Sequence, residues 1–196
     1  MKGLKMEKLE LSYGNKKLPK DTAILNMGSA KNCPSKKLGL CSVCKICYAS
    51  KAERIYPNVL PYRNRQAKYW SKRKAETISA DIIADVKRKR NPVKKFRFSE
   101  AGDFRTQKDV DKMADVCKVL SSQGIKCYGY TARRDLDFSG LMRYATVQGS
   151  GFMLSNMFTA VSKNEVDSKK PVCAGDCKKC NLCITGRNLS IQVIKH

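Results

Sequence analysis

The sequence predicts an α/β fold, either a partial parallel (βα) barrel or an open sheet, with cysteine-rich loops near both ends. Three observations predict it. Short apolar runs alternate with longer stretches of helical apolar periodicity. Gly and Pro punctuate the junctions. Polar, charged and glycine residues gather just after the ends of successive apolar runs. Repeated strand-helix-strand units favour a parallel sheet, because parallel neighbours need a crossover connection.

Thr22 to Met27 (TAILNM) reads as a short buried strand feeding Gly28, Ser29 and a first cysteine loop. Pro57 and Pro61 bound a turn. One long amphipathic helix then runs from about Tyr62 to Arg90, with apolar Ala67, Trp70, Ala75, Ile78, Ile82 and Val86 recurring every three to five residues. Asn91-Pro92 stops it, and Lys94 to Ser99 (KKFRFS) is a second strand. Thr106 and Asp109 have the form of a capping box opening a helix whose stripe is Val110, Met113, Ala114, Cys117 and Leu120. Gly124 ends it, and Ile125 to Thr131 is the third strand. Asp135 is expected to cap a short helix through Met142, after which Tyr144 to Gln148 or Gly151 to Ser155 supplies a fourth strand. Ser162 to Lys170 is a polar linker delivering a second cysteine group, and Asn188 to Lys195 adds a late strand. At 196 residues, 42% of them apolar, the economical organisation is one α/β domain over 1–196 with cysteine loops at 33–47 and 173–183.

Eight of the ten cysteines form two sets, Cys33, Cys41, Cys44, Cys47 and Cys173, Cys177, Cys180, Cys183, each a C-x2-C-x2-C core with one outlier. Three thiols at successive two-residue intervals suit the corners of a 4Fe-4S cluster better than the separated pairs of a tetrahedral zinc site. Iron-sulfur, one cluster or two, is therefore the sharper reading, with zinc and disulfides as alternatives. The outliers Cys33 and Cys173 could each serve the other triplet, as in two-cluster ferredoxins. Cys117 and Cys127 read as core fillers. The opening MKGLKMEKLELSYG lacks a signal-peptide core, and no apolar run approaches the roughly 20 residues that span a membrane. A reducing cytoplasm is the expected location, and clustered cysteines there bind metal more often than they pair.

The net charge of +23 predicts anionic partners, either a nucleic acid or an anionic small molecule or nucleotide. Basic residues concentrate in Lys2 to Lys20, Lys31 to Lys37, Arg63 to Lys74 and the run Lys87-Arg88-Lys89-Arg90. Ligands of parallel sheets collect beyond the carboxyl ends of the strands, which singles out Ser99 to Arg105, Thr131 to Asp135 and Ser155-Asn156. Candidate catalytic residues there are Asp103, Glu100, Arg133 and Arg134. Gly102, Ser99, Thr131, Ser155 and Asn156 are candidate cofactor-binding positions. His196 is the only histidine and is terminal, so a histidine-based nucleophile system or histidine-ligated zinc hydrolase has no base or ligand to use. No Walker loop or dinucleotide fingerprint occurs.

Cys44-Lys45-Ile46-Cys47-Tyr48-Ala49, Phe98 to Phe104, Tyr130-Thr131-Ala132-Arg133 and the closing cysteine cluster resemble, in order and spacing over about residues 30 to 185, the bacteriophage gene product 88-like family. The resemblance implies a phage protein holding an iron-sulfur cluster, with no defined reaction. Ser99-Glu100-Ala101-Gly102-Asp103 is longer than the family's adjacent Ser and Gly. More distantly, Cys41, Cys44 and Cys47 after a first strand, with Glu100 to Asp103 after a second, are similar to radical S-adenosylmethionine enzymes, although those space the triplet C-x3-C-x2-C. That likeness implies S-adenosylmethionine as a cofactor. The two functional expectations are thus an iron-sulfur redox or radical enzyme acting on an anionic small molecule or nucleotide, and a metal-stabilised module binding nucleic acid or a host protein without catalysis.

Overall fold

Alternation along the strands sorts one sheet into two unlike faces. In the computed structural model, which describes residues 8–195, the strands are β1 (Ser12–Tyr13), β2 (Thr22–Leu25), β3 (Lys95–Phe98), β4 (Lys126–Thr131), β5 (Ala145–Ser150), β6 (Asn156–Val161) and β7 (Ser190–Ile194). They lie in sequence order, β1 antiparallel to β2 and every later pair parallel. The sheet is open and not closed into a barrel. Lys2, Lys5 and His196 lie outside the described residues.

The helices are α1 (Pro34–Lys37), α2 (Tyr48–Ile55), α3 (Val59–Lys72), α4 (Ala75–Lys87), α5 (Gln107–Ser122), α6 (Ser139–Met142) and α7 (Leu182–Thr185). Ala23, Leu25, Phe96, Phe98, Cys127, Ala145 and Val147 face α3 to α6 and pack with Trp70, Ile78, Ile82, Met113, Leu120 and Leu141 into the main core. The intervening Ile24, Arg97, Tyr128, Tyr130, Thr146 and Gln148 point to the opposite face. Cys117 and Cys127 are buried in the main core, as expected. No described helix is long and apolar enough to cross a membrane.

Four local expectations are corrected. The single helix over Tyr62–Arg90 is two, because the chain is extended at Arg73 and Lys74. The apolar step from Trp70 to Ala75 exceeds one helical turn, so an unbroken helix could not present both to the sheet. Lys112 Nζ donates to the carbonyls of Trp70 and Arg73 at 2.8 and 3.1 Å, satisfying acceptors that the end of α3 leaves open. The Thr106–Asp109 capping box does not form, since the Thr106 side chain makes no cap bond. Asp109 instead accepts from the Trp70 indole at 2.9 Å and from Arg105 Nε at 2.9 Å, tying α5 to α3.

Asp135 does not cap α6. It is taken by Arg133, whose Nε lies 2.8 Å from Oδ1, and Asp137 accepts from Ser139 at the start of α6. Neither candidate for the fourth strand is right as bounded. β5 covers Ala145–Ser150, residues 151–155 are a link, and β6 follows in parallel register with Gln148 opposite Asn156. So short a parallel connection is unusual. It needs Gly149, where an added Cβ would meet the Phe152 carbonyl oxygen at 2.1 Å. The late strand is β7. The 162–170 linker is fastened beside it by Gln192, which donates to the Asp167 carbonyl at 2.8 Å and accepts from the Asp167 amide at 2.8 Å.

Burial pushes the Asp109 carboxyl up, but hydrogen bonds from Arg105 and Trp70 outweigh it, and the carboxyl titrates below its ordinary range. A depressed carboxyl contributes stability that is present above its unfolded value of about 3.9 and lost as pH falls through the lower folded value. Asp109→Asn should therefore lower the urea unfolding free energy by about 1–3 kcal/mol at pH 7. The deficit relative to wild type should shrink when the same titration is run near pH 3.

Candidate functional site

The two cysteine sets occupy different parts of the sheet. The first leaves the carboxyl end of β2. Cys33 stands immediately before α1, Cys44 opens a 3-10 turn (Cys44–Ile46), and Cys47 immediately precedes α2. Burial pushes the Cys33 thiol up to about 11, against hydrogen bonds from the backbone N–H groups of Lys36 and Ser35. Burial and then the neighbouring Cys44 thiol push Cys41 up to about 12. These groups are thiols at neutral pH, so metal uptake must release their protons.

Two carboxylates hold this loop. Glu53 of α2 accepts from the Ala30 and Lys31 amides at 2.7 and 3.0 Å and pairs with Arg63 of α3 at 2.8 Å. Both partners are about 6% exposed, so the pair is screened little by solvent. Arg63 also donates to the Ala49 carbonyl, fixing the turn between α2 and α3. Asp103, from the loop after β3, accepts from Ser35 Oγ at 2.5 Å, Thr131 Oγ1 at 2.7 Å and the amides of Ala132 and Phe104 at 2.9 Å. Burial raises its pKa, and the four hydrogen bonds act in the opposite direction.

The second set lies on the sheet face opposite α3 to α6. Cys173, Cys177, Cys180 and Cys183 line one cavity with Arg97, Tyr128 and Tyr130. Cys173 shares this cavity with its own triplet, where the spacing had left an exchange between sets open. Burial pushes the Cys177 and Cys183 thiols up, while the Arg97 charge opposes the shift at Cys177 and a hydrogen bond from the Tyr130 hydroxyl opposes it at Cys183. The loop is fastened through its backbone: Thr146 Oγ1 donates to the Ile184 carbonyl at 2.8 Å and Gln148 Nε2 to the Cys183 carbonyl at 2.9 Å. No disulfide joins any of the ten cysteines. Among the described residues no three Cys, His, Asp or Glu side chains are drawn close enough to hold a single ion. What the site offers a metal is donor chemistry: four partly buried thiols line one space.

Most of the candidate rim residues are engaged in holding the strand ends. Gly102 (φ +74°) is pressed against Gly28, where a Cβ would lie 2.7–2.8 Å from backbone atoms, so protein rather than ligand makes the close approach. Arg133 is forked onto Asp135 and donates to the Phe104 and Arg105 carbonyls. Thr131 bonds Asp103 and accepts from the Arg133 amide. Ser155 Oγ accepts from the Val147 amide, and Asn156 bonds the Leu189 amide and Gly186 carbonyl. Glu100 accepts from Asn15 at 2.8 Å, and Arg134 is exposed. Ser99 differs: it is buried at φ +56°, and its hydroxyl has no partner.

From sequence no role was evident for Glu53, Arg97 or Tyr128, while Tyr130 entered only within the Tyr130 to Arg133 motif and Arg63 only as part of a basic stretch. A usable signal existed for Arg97, a charge between Phe96 and Phe98 in a central strand of a parallel sheet, where both faces are normally covered.

Fold and site together define an α/β protein of sequentially ordered, mainly parallel strands, carrying one four-thiol set at the strand-end rim and another on the face away from α3 to α6. The chain belongs to the gene product 88 family, a bacteriophage family whose model matches residues 3–183. Comparison with curated proteins and with solved structures found no match, and nothing found supports the more distant likeness to radical S-adenosylmethionine enzymes.

Gly102→Ala should cost about 3 kcal/mol, combining left-handed strain with overlap at Gly28, and should appear as a lowered thermal midpoint. Asp103→Ala leaves four donors without their acceptor. It should cost at least about 3 kcal/mol and speed hydrogen exchange at the Ala132 and Phe104 amides.

Proposed function

We propose that this phage protein is an iron-sulfur redox protein, with Cys173, Cys177, Cys180 and Cys183 holding one 4Fe-4S cluster and Cys33, Cys41, Cys44 and Cys47 a second. The observation that carries the reading is the ring of four C-terminal thiols around one cavity, with a hydroxyl donor and a guanidinium in its wall. Three of those thiols follow at successive two-residue intervals, which favours a cluster over zinc. A bound cluster supplies one-electron transfer. With four protein thiols for each cluster, no iron is left open to act as a Lewis acid on substrate, and the engagement of Asp103 and Arg133 in the rim agrees with a carrier rather than a rim-centred enzyme.

A metal-stabilised nucleic-acid-binding module is the second reading. It is favoured by Lys87, Arg88, Lys89 and Arg90, all exposed at the end of α4 on a chain of net charge +23. Binding of that kind weakens steeply with added salt.

Air-free purification followed by iron, sulfide and zinc analysis tests the first reading. The expected protein is brown, bleaches on reduction, and loses one cluster's share of iron and sulfide in a Cys177→Ser, Cys180→Ser double variant. A colourless, iron-free protein, or one fully restored by zinc alone, overturns the iron-sulfur assignment. Chelation should unfold both cysteine loops, read as faster amide exchange confined to residues 33–47 and 173–183.

A further inference from the structure

Arg97 is a cation to which no carboxylate among the described residues is ion-paired, Glu100 acting on it only at longer range. It projects from β3 on the face away from α3 to α6, its guanidinium carbon 5.0 Å from the centre of the Tyr130 ring. Its Nη2 donates to the Tyr48 hydroxyl at 3.3 Å, while Nε is buried and makes no hydrogen bond. Withdrawing even part of such a charge from water is unfavourable unless an anion answers it. The cavity that Arg97 lines has the four C-terminal cysteines on its other wall.

Four thiolates around a divalent core, an oxidised 4Fe-4S unit or a zinc ion alike, form a centre with two net negative charges. Such a dianion needs positive charge and hydrogen-bond donors around it, and these outer groups govern how firmly metal is held and at what potential it is reduced. Arg97 offers both in one side chain, and Tyr130 adds a hydroxyl donor to Cys183. Among the described residues no comparable partly buried arginine without an ion pair stands at the first set, where Arg63 is already paired with Glu53.

We infer that Arg97 is the built-in counter-cation of the C-terminal four-thiolate centre, its free Nε donating to a sulfur of that centre. This rests on the reading that these cysteines hold metal. Arg97 acts through the centre and is a positioning residue. Replacing it should loosen the metal and, where the metal is a cluster, make reduction harder, since the reduced state carries the larger negative charge.

The test compares full-length metal-loaded wild type, Arg97→Met, Arg97→Lys and Tyr130→Phe by metal release to a chelator and by the reduction midpoint. A Cys180→Ser chain identifies which release phase belongs to this centre. Arg97→Met should release that phase roughly 10–100-fold faster and move its midpoint to more negative values, leaving the other phase unchanged. Arg97→Lys, which keeps charge without the Nε donor, should fall between, and Tyr130→Phe should shift in the same direction by less. Should Arg97→Met not fold, the Lys and Phe variants still decide, because unchanged release in both overturns the inference. Wild-type release and midpoint in a folded Arg97→Met variant overturn the inference while leaving metal binding standing. Absence of a Cys180-dependent metal phase in the wild type overturns the metal reading itself, and this inference with it.

Discussion

A parallel sheet must be covered on both faces, and here the order of winding covers only one. Because strands β1 to β7 follow each other side by side, α3 to α6 accumulate on a single face, and the polar-aromatic row of Arg97, Tyr128, Tyr130, Thr146 and Gln148 is left for something else to shield. The β6–β7 connection does so. It carries the second cysteine set and α7 onto that row, with Ile184 as its one buried apolar anchor. Its other attachments are hydrogen bonds, among them Thr146, Gln148 and Asn156 onto its carbonyls, Gln192 onto Asp167 and the Cys173 and Cys177 amides onto Gln192 and Lys17, each contributing on the order of 1 kcal/mol. With one buried apolar side chain, this second layer is held to the sheet chiefly by hydrogen bonds, and the same segment carries the four cysteines.

The rim illustrates the opposite outcome. Glycine, carboxylate and arginine beyond strand ends often receive ligands, and the same residue types are what a crowded set of strand ends needs to hold itself together. Asp103 joins the loop after β3 to Ser35 in the first cysteine loop and to the end of β4. Gly102 admits the Gly28 backbone, and Ala30, Ala49 and Ala101 pack in the same region with Cys47. Small residues allow the first cysteine loop to lie directly on the strand ends. The residues that resembled a binding site therefore position the loop whose cysteines are candidate ligands.

Much of this was legible because it depends on period and punctuation. β2, β3, β4, β7 and α5 follow from apolar spacing and from Gly124 and Pro92, and the two thiol sets from spacing alone. What escaped depends on partners distant in sequence. Asp109 has the spacing of a capping residue, yet its partner is Trp70, brought alongside only when α3 and α5 pack. Asp135 looked like a cap because its competing partner, Arg133, could not be recognised as a fork from the sequence. β1 is two residues long, and β6 requires Phe152 to fold over Gly149, a contact with no periodic trace. Arg97 was hidden by the same rule that makes strands readable, since lysine and arginine in KKFRFS pass for the polar half of an alternating strand.

The two sets are not equivalent as electrostatic environments. Cys33 receives N–H groups from the start of α1, whereas the C-terminal thiols face a guanidinium and a phenol. Burial opposes the Arg97 charge, and the nearby Glu100 carboxylate favours it. Tyr48 follows Cys47 directly, donates to the Glu100 carbonyl at 2.6 Å and accepts from Arg97. Tyr48 thus lies between the first cysteine loop and Arg97 in the wall of the second cavity. Tyr48 is itself largely exposed, so the contact between the two regions is a surface one.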